Sequence, residues 1–235
     1  MTFGLCNGQT MTRYEPMFKT CDQAVKQAHI DANAGILRSI PHGLVNSTRD
    51  IDFDRFYENY MIVNYGIESY NGGSIVMENE DCYNDEMNKI IIEKFGADFF
   101  CKKKEEVERE FEKFKILGQE ERKKYIDFEY TYRLGMTDTR ANYSKGYNEL
   151  YKEIRKRINF SNLDFAPYKY TDIGIYLVIG QQGEIEKCEV VSNGFPETIG
   201  ERIEKVIIDI GNWIPAKLYG HPVKSEDMLA FSLKD

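Results

Sequence analysis

A change of hydrophobic period in the last third of the chain constrains the fold more than any other sequence feature. Apolar residues first recur at the spacing of one helix face, a pattern that turns Lys152, Arg155 and Arg157 to water. These apolar positions are Tyr147, Leu150, Tyr151, Ile154 and Ile158. The period then falls to two at Ile173, Ile175, Leu177 and Ile179. A strand with one wholly aliphatic face must cover that face, so the sequence predicts a sheet backed by a helix.

The residues after this strand predict a hairpin, a second helix and a closing strand. Gly180 and Gly183 allow a tight turn into a strand over residues 184–191. The helix that follows ends at Gly211, and its apolar face consists of Ile199, Ile203, Val206, Ile207 and Ile210. A turn at Tyr219 and Gly220 leads to the last strand, residues 226–233. The predicted order is helix, strand, strand, helix, strand.

The N-terminal two thirds of the chain has mostly helical periodicity. Helices are predicted over residues 21–37, 52–65 and 99–114, and another, capped by Asn84 or Asp85, ends before Gly96. Alternating aromatic and charged residues over 125–133 predict a short strand. The polar stretch 135–146 is the predicted domain boundary. The predicted fold class is α+β, with a mainly helical domain of unknown family over 10–140 and a small antiparallel sheet packed on helices over 147–235.

Composition excludes some functions and leaves the compartment open. The formal net charge is −8 and no basic stripe is visible, so nucleic acid is not an expected partner. No apolar run reaches the roughly 18 residues of a membrane-spanning helix, so no transmembrane segment is expected. Residues 1–9 resemble the end of a secretory signal peptide, which predicts a periplasmic or cell-envelope protein. The alternative is an ordinary N-terminus and a cytoplasmic protein.

The cysteines are compatible with a secreted protein. Five are present, and four remain if residues 1–9 are removed, an even number that suits an oxidising compartment. Cys188 lies at an inward strand position and is expected to pack in the core.

No catalytic, metal or cofactor motif is recognisable in the sequence. The three histidines, His29, His42 and His221, are scattered and lack the spacing of metal ligands. No glycine motif of the kind that cradles phosphate is present. Neither a catalytic residue nor a cofactor is therefore predicted.

Residues 147–235 resemble the C-terminal domain of TonB, the periplasmic protein that binds outer-membrane transporters. Each element is weak alone, but their order and spacing match: an alternating strand, a turn ending in glycine, an amphipathic helix and a Trp-x-Pro stretch. The motif positions are Gly183, Trp213, Pro215, Gly220, Pro222 and Val223. Energy transducers of that family also carry an N-terminal transmembrane helix and a proline-rich linker, and neither is visible here, where six prolines occur in all.

The resemblance implies a protein-binding function. TonB adds an extended segment of a transporter as a new strand beside the strand that follows the helix, which is β-augmentation. The resemblance therefore implies a protein partner, such as a TonB-dependent outer-membrane transporter. The corresponding edge consists of Glu226, Asp227, Met228, Leu229, Ala230, Phe231, Ser232 and Leu233.

Two other functions remain open on the sequence. The N-terminal helices can cover the last strand, which would make the protein a structural or adaptor protein of the cell envelope with a closed sheet. The N-terminal domain can also be an enzyme, which would require a cleft with convergent titratable groups. The oligomeric state is not predicted.

Overall fold

The computed structural model describes residues 18–39, 51–69, 79–133, 135–158, 160, 172–191 and 197–232. The chain divides into two compact units, Met1–Glu112 and Lys113–Asp235. Both contain helices and strands, so the chain is α+β, as the sequence predicts. The signal-like residues 1–9 and the strand residue Leu233 lie outside the described residues.

The described residues of the first unit form helices and a short parallel pair of strands. These elements are α1 (Cys21–Asn33), β1 (Leu37–Ser39), α2 (Ile51–Tyr65), β2 (Ile67–Ser69), α3 (Glu80–Phe95) and α4 (Phe99–Lys115), which contains the point of division. The hydroxyl of Thr20 caps α1 by accepting the Gln23 N–H at 3.3 Å. The helices predicted over 52–65 and 99–114 are confirmed to within one residue at each end.

Two helix limits in this unit differ from the prediction. α1 ends at Asn33 rather than residue 37, because Gly35 has a φ of +81° and Leu37 already pairs in parallel with Ile67. α3 begins at Glu80, so the prediction that Asn84 or Asp85 caps it is wrong. The β1–β2 pair was not predicted, because strands of three residues are too short to show an alternating pattern.

A disulfide and a buried carboxylate join the elements of the first unit. Cys21 of α1 is bonded to Cys82 of α3, across a sequence separation of 61. The carboxylate of Asp31 is buried and accepts hydrogen bonds from the Tyr83 hydroxyl at 2.7 Å and from Arg38 at 3.4 Å. Arg38 on β1 also bonds a β2 carboxylate, so this network connects α1 and α3 to both strands.

The described residues of the second unit form three small antiparallel sheets. Its described elements are a 3₁₀ helix (Glu120–Tyr125), β3 (Asn142–Tyr143), α5 (Tyr147–Arg157), β4 (Asp172–Ile179), β5 (Ile185–Val191), α6 (Glu197–Ile210), β6 (Trp213–Ile214), β7 (Ala216–Leu218), β8 (His221–Val223) and β9 (Ser225–Ser232). The main sheet has the order β5-β4-β9, while β3 pairs with β6 and β7 with β8. The predicted order helix, strand, strand, helix, strand is confirmed, with three short strands added before β9.

The aliphatic face of β4 is the centre of the core of this unit. Ile173, Ile175, Leu177 and Ile179 are each at most 1% exposed. Both helices cover this face: α5 contributes Leu150 and Ile154, and α6 contributes four buried isoleucines. Full burial of one such side chain contributes about 1.5–3 kcal/mol. Burial of these four residues, called the β4 row below, therefore contributes a large share of the stability of the unit.

Residues 113–146 fold as part of the second unit. The predicted strand at 125–133 is wrong: residues 120–125 are a 3₁₀ helix, and Tyr132 makes one isolated parallel bridge to Ser225. Thr139 bridges to Lys217 of β7, and β3 pairs with β6. The stretch 135–146 therefore packs beside the C-terminal strands.

The hairpin turn between β4 and β5 packs closely on β6. Gly183 has a φ of +83°, and a Cβ at this position would lie 2.1 Å from the carbonyl oxygen of Trp213. Trp213 is itself buried and meets the ring of Tyr143 edge to face at 5.9 Å. The hairpin turn thus requires a residue without a side chain.

None of the helices in the described ranges is both long enough and apolar enough to span a membrane.

Gly183→Ala is expected to destabilise the protein more than Gly211→Ala. Both glycines have a positive φ, which costs a residue with a side chain about 1–2 kcal/mol. Only at Gly183 does the added Cβ also meet a backbone oxygen; at Gly211 no heavy atom lies within 4 Å of it. Urea denaturation of the two variants measures the difference in unfolding free energy. Equal losses would contradict the close contact with Trp213.

Candidate functional site

β9 is an edge strand of the three-stranded sheet, and its residues alternate between two environments. It pairs antiparallel with β4 from Asp172↔Ser232 to Ile179↔Ser225. The Glu226 N–H donates to the Tyr132 carbonyl, on the side away from β4, at 2.9 Å. Because main-chain groups alternate in an antiparallel ladder, the even-numbered residues 226–232 present their N–H and C=O groups at the outer edge.

The predicted edge residues divide according to this alternation. Asp227, Leu229 and Phe231 have side chains that are at most 4% exposed and belong to the core. Met228 and Ala230 are exposed on the opposite, solvent-facing side of the sheet. The outer edge of β9 therefore consists of the main-chain groups of the even-numbered residues, with the side chains of Met228 and Ala230 beside it.

The N-terminal half of the β9 edge is closed by main-chain hydrogen bonds. Tyr132 donates its N–H to the Lys224 carbonyl at 2.9 Å and accepts the N–H of Glu226 at 2.9 Å. The Tyr132 side chain is fully buried, and its hydroxyl accepts the Asp127 N–H at 2.9 Å. Burial raises the pKa of Tyr132 above its usual value. This half of the edge is closed by a packed segment of the chain.

The C-terminal half of the β9 edge is closed by two side chains of α5. The Tyr151 hydroxyl donates to the Ala230 carbonyl at 3.0 Å, and Arg155 Nη2 donates to the Ser232 carbonyl at 2.8 Å. Both side chains also pack on Phe231: the Tyr151 ring lies 5.3 Å from the Phe231 ring centroid, and the guanidinium carbon of Arg155 lies 5.0 Å from it. The carbonyl groups at this end of the edge are thus bonded to side chains.

The two hydrogen bonds from α5 to β9 can form together because the repeat distances of the helix and the strand match. Four residues of an α-helix rise about 6 Å, and two residues of an antiparallel strand rise about 6.8 Å. Tyr151 and Arg155 are four apart, and their acceptors Ala230 and Ser232 are two apart. Tyr147, one further repeat back, donates to Asp227 at 3.2 Å. One face of α5 therefore bonds along the length of β9.

Asp227 places a buried carboxylate beside this face of α5. It is 2% exposed and forms an ion pair with Arg140. It also accepts the Tyr147 hydroxyl and, at 2.7 Å, the Met228 N–H. Burial and then the charge of Asp227 raise the pKa of Tyr147 to about 12. Asp227 thus ties α5 and the segment before β3 to β9.

The six motif positions named from the sequence all have structural roles in the second unit. Trp213 and Pro215 lie against Gly183 at the hairpin turn. Gly220, with a φ of +84°, forms the turn between β7 and β8, and its N–H donates to Asp138 at 3.2 Å. Pro222 and Val223 are in β8, where Val223 is fully buried and Pro222 is exposed. They shape the approach of the chain to β9.

Sequence reasoning missed the residues that close the edge. The sequence predicts Tyr132 within a separate strand over residues 125–133 and not at the β9 edge. The prediction that Arg155 faces water is wrong, since its guanidinium lies over the ring of Phe231. A signal was available in the four-residue repeat of Tyr147, Tyr151 and Arg155 on α5. That repeat identifies a polar-tipped helix face, but the strand it contacts is some 80 residues away.

The described residues show no assembly typical of a metal site. No group of three or more His, Cys, Asp or Glu side chains among them is placed to hold a metal ion. His221 is buried with Nε2 2.9 Å from the Gln119 carbonyl oxygen, and His29 pairs with Glu86 at 3.0 Å; His42 lies outside the described residues. Cys188 pairs opposite Leu177, and burial raises the pKa of its thiol to about 12.

Comparison of the chain with protein-family models, with curated proteins and with solved structures finds no match.

Tyr147→Phe is expected to lower stability by roughly 1–3 kcal/mol at neutral pH, as loss of a hydrogen bond to a charged group does. The folded state keeps the Tyr147 phenol protonated to about pH 12, whereas the unfolded chain ionises it near pH 10. The folded state thus binds more protons in this window, so the contribution of the hydroxyl is complete below pH 10 and is lost as pH rises toward 12.

The measurement is the difference in unfolding free energy between wild type and Tyr147→Phe at several values of pH. The difference should be constant between pH 7 and 9 and should shrink between pH 10 and 12. A difference that stays constant to pH 12 would contradict the raised pKa of the Tyr147 hydroxyl in the folded state.

Proposed function

We propose that the second unit is a protein-binding module that adds an extended segment of a partner protein to the β9 edge. The observation that carries this proposal is the way the edge is closed. The main-chain carbonyls of Ala230 and Ser232 are bonded to side chains of α5, not to another strand. Side chains change rotamer far more easily than a packed main-chain segment moves, so this half of the edge can be opened for strand pairing.

The resemblance to the TonB C-terminal domain supports the same site. In that family the strand after the helix receives the partner, and β9 is the strand after α6 that joins the three-stranded sheet here, following the short strands β6, β7 and β8. A TonB-dependent outer-membrane transporter is accordingly the partner we propose.

An adaptor with a closed sheet is the second candidate. It is favoured by Tyr132, whose two main-chain hydrogen bonds already occupy the N-terminal half of the edge. In that case the contacts of Tyr151 and Arg155 complete the closure, and β9 binds no partner. The two candidates differ in whether the outward N–H groups of β9 are needed for binding.

Ala230→Pro is expected to abolish partner capture while leaving the β4–β9 ladder intact. Ala230 directs its N–H away from β4, and proline at such a position of an edge strand removes only the outward donor. Ala230→Val is the matched control, because it adds a β-branched side chain at the same exposed position and keeps the N–H. The measurement is affinity capture from a Gram-negative envelope extract with wild type and both variants.

The proposal requires proteins that wild type and Ala230→Val retain and that Ala230→Pro loses, TonB-dependent transporters among them. Ser232→Pro provides an independent variant, should Ala230→Pro unfold. Capture that survives both prolines favours the closed adaptor. Deletion of the strand is a poor substitute, because it removes the buried side chains of Leu229 and Phe231 with it.

We also propose that the protein works in an oxidising compartment of the cell envelope, such as the periplasm. The supporting observation is the disulfide between Cys21 and Cys82, because structural disulfides are rare in reducing compartments. An alkylating agent is added at cell lysis, without a reductant, and the modified cysteines are identified by peptide mass spectrometry. Cys21 and Cys82 should be found unmodified. The exposed thiol of Cys101 is the internal control and should be fully alkylated. Alkylation of Cys21 and Cys82 without a reductant would contradict this location.

A further inference from the structure

The contacts at the C-terminal half of β9 have a consequence for any strand that binds there. A fourth strand needs the Ala230 and Ser232 carbonyls as acceptors for its own N–H groups. Those carbonyls are bonded to the Tyr151 hydroxyl and to Arg155 Nη2. Because the N–H groups of an added strand and the α5 side chains compete for the same two carbonyl oxygens, the strand has to displace the side chains.

We propose that Tyr151 and Arg155 form an autoinhibitory latch on the β9 edge, and that the segment which opens it carries an acidic side chain that Arg155 then binds. This inference rests on the proposed strand-binding function and specifies its regulation and the chemistry of its partner. The pair Tyr151 and Arg155 is called the α5 latch below.

The direction of the exchange follows from the chemistry of the two donors. When Arg155 leaves the neutral Ser232 carbonyl, its guanidinium remains over the buried Phe231 ring. A carboxylate is a better acceptor for a guanidinium than a neutral carbonyl, because the hydrogen bond is charge-assisted. An incoming Asp or Glu therefore offsets the bond that the latch loses, whereas a neutral segment does not.

The surrounding charges favour an acidic segment as well. α5 carries four cationic side chains, those of Lys152, Arg155, Lys156 and Arg157, against two carboxylates, those of Glu149 and Glu153. Lys156 and Arg157 are exposed beside Arg155. α5 thus carries an excess of positive charge beside the latch on a chain whose net charge is −8. A segment with acidic residues meets attraction at this end of the strand.

The position of the acidic residue is set by the faces of the sheet. Arg155 lies on the helix-covered side, because it packs on Phe231, whose side chain points inward. Side chains of an added strand alternate between the two faces. The acidic residue must therefore be a helix-facing one next to Phe231, and its neighbours along the strand lie beside Ala230 and Met228 on the other face.

The probe is a peptide with the sequence of β4, residues 172–179, which is the strand that already pairs antiparallel with β9. In the structure Ile173 pairs with Phe231 on the helix-covered side. Two fluorescein-labelled peptides with Gly-Ser tails are compared, one with Ile173→Glu and one with Ile173→Gln, which differ in charge and not in shape. Their affinities for wild type, Tyr151→Phe and Arg155→Met are measured by fluorescence anisotropy.

Tyr151→Phe keeps the ring contact with Phe231 and removes only the hydroxyl donor. Both peptides should bind this variant roughly 2- to 12-fold more tightly than wild type, as expected for removal of one competing hydrogen bond. Wild type should prefer the Glu peptide over the Gln peptide by about 2- to 5-fold. Arg155→Met, which keeps the apolar stem over Phe231, should bind both peptides equally. Circular dichroism and thermal unfolding verify that each variant is folded.

Each outcome decides a separate point. Unchanged affinities in Tyr151→Phe overturn the latch while strand binding stands. A Glu preference that persists in Arg155→Met overturns the acidic exchange. Absence of peptide binding to every variant, or binding that Ala230→Pro leaves intact, overturns strand addition at β9 itself, and the proposed function with it.

Discussion

Burial of the β4 row determines the rest of the second unit. Four aliphatic side chains on one face of a strand leave only one register for their neighbours, because a slip of one residue would turn the whole row into water. The same register decides which main-chain groups of β9 bond to β4 and which face the outer edge. The location of the candidate site is therefore a consequence of core packing.

This register has a cost, because it brings Asp227 into the core opposite Leu177. A buried carboxylate is tolerated only with a close cation and hydrogen-bond donors, which Arg140 and Tyr147 provide. These partners tie α5 to β9 in one position. With Tyr147 fixed on Asp227, the matching repeats of helix and strand bring Tyr151 and Arg155 to the carbonyls of Ala230 and Ser232. The ion pair in the core and the closure of the edge are thus parts of one arrangement.

The sequence is informative where a property repeats locally. The change of period between α5 and β4, the hairpin after Gly180 and the apolar face of α6 all follow from spacing, and the structure confirms each. What the sequence does not show are contacts between distant residues. Gly183 requires its lack of a side chain because of Trp213, thirty residues later, and Tyr132 closes an edge formed more than ninety residues further on. Arg155 is indistinguishable in sequence from a solvated surface arginine until Phe231 is placed beneath it.

The two halves of the β9 edge represent two solutions to the same physical problem. Unpaired main-chain groups at a sheet edge attract other strands, and proteins either cover them or use them. Tyr132 covers the first half with main chain that is anchored by a buried ring and by the Asp127 N–H. Opening that half would expose a core residue. Tyr151 and Arg155 cover the second half through their polar ends, and these ends can find new partners without disturbing the stems packed on Phe231. A strand that binds this edge therefore meets the lower barrier between Ala230 and Ser232, and its charge there decides how much of that barrier remains.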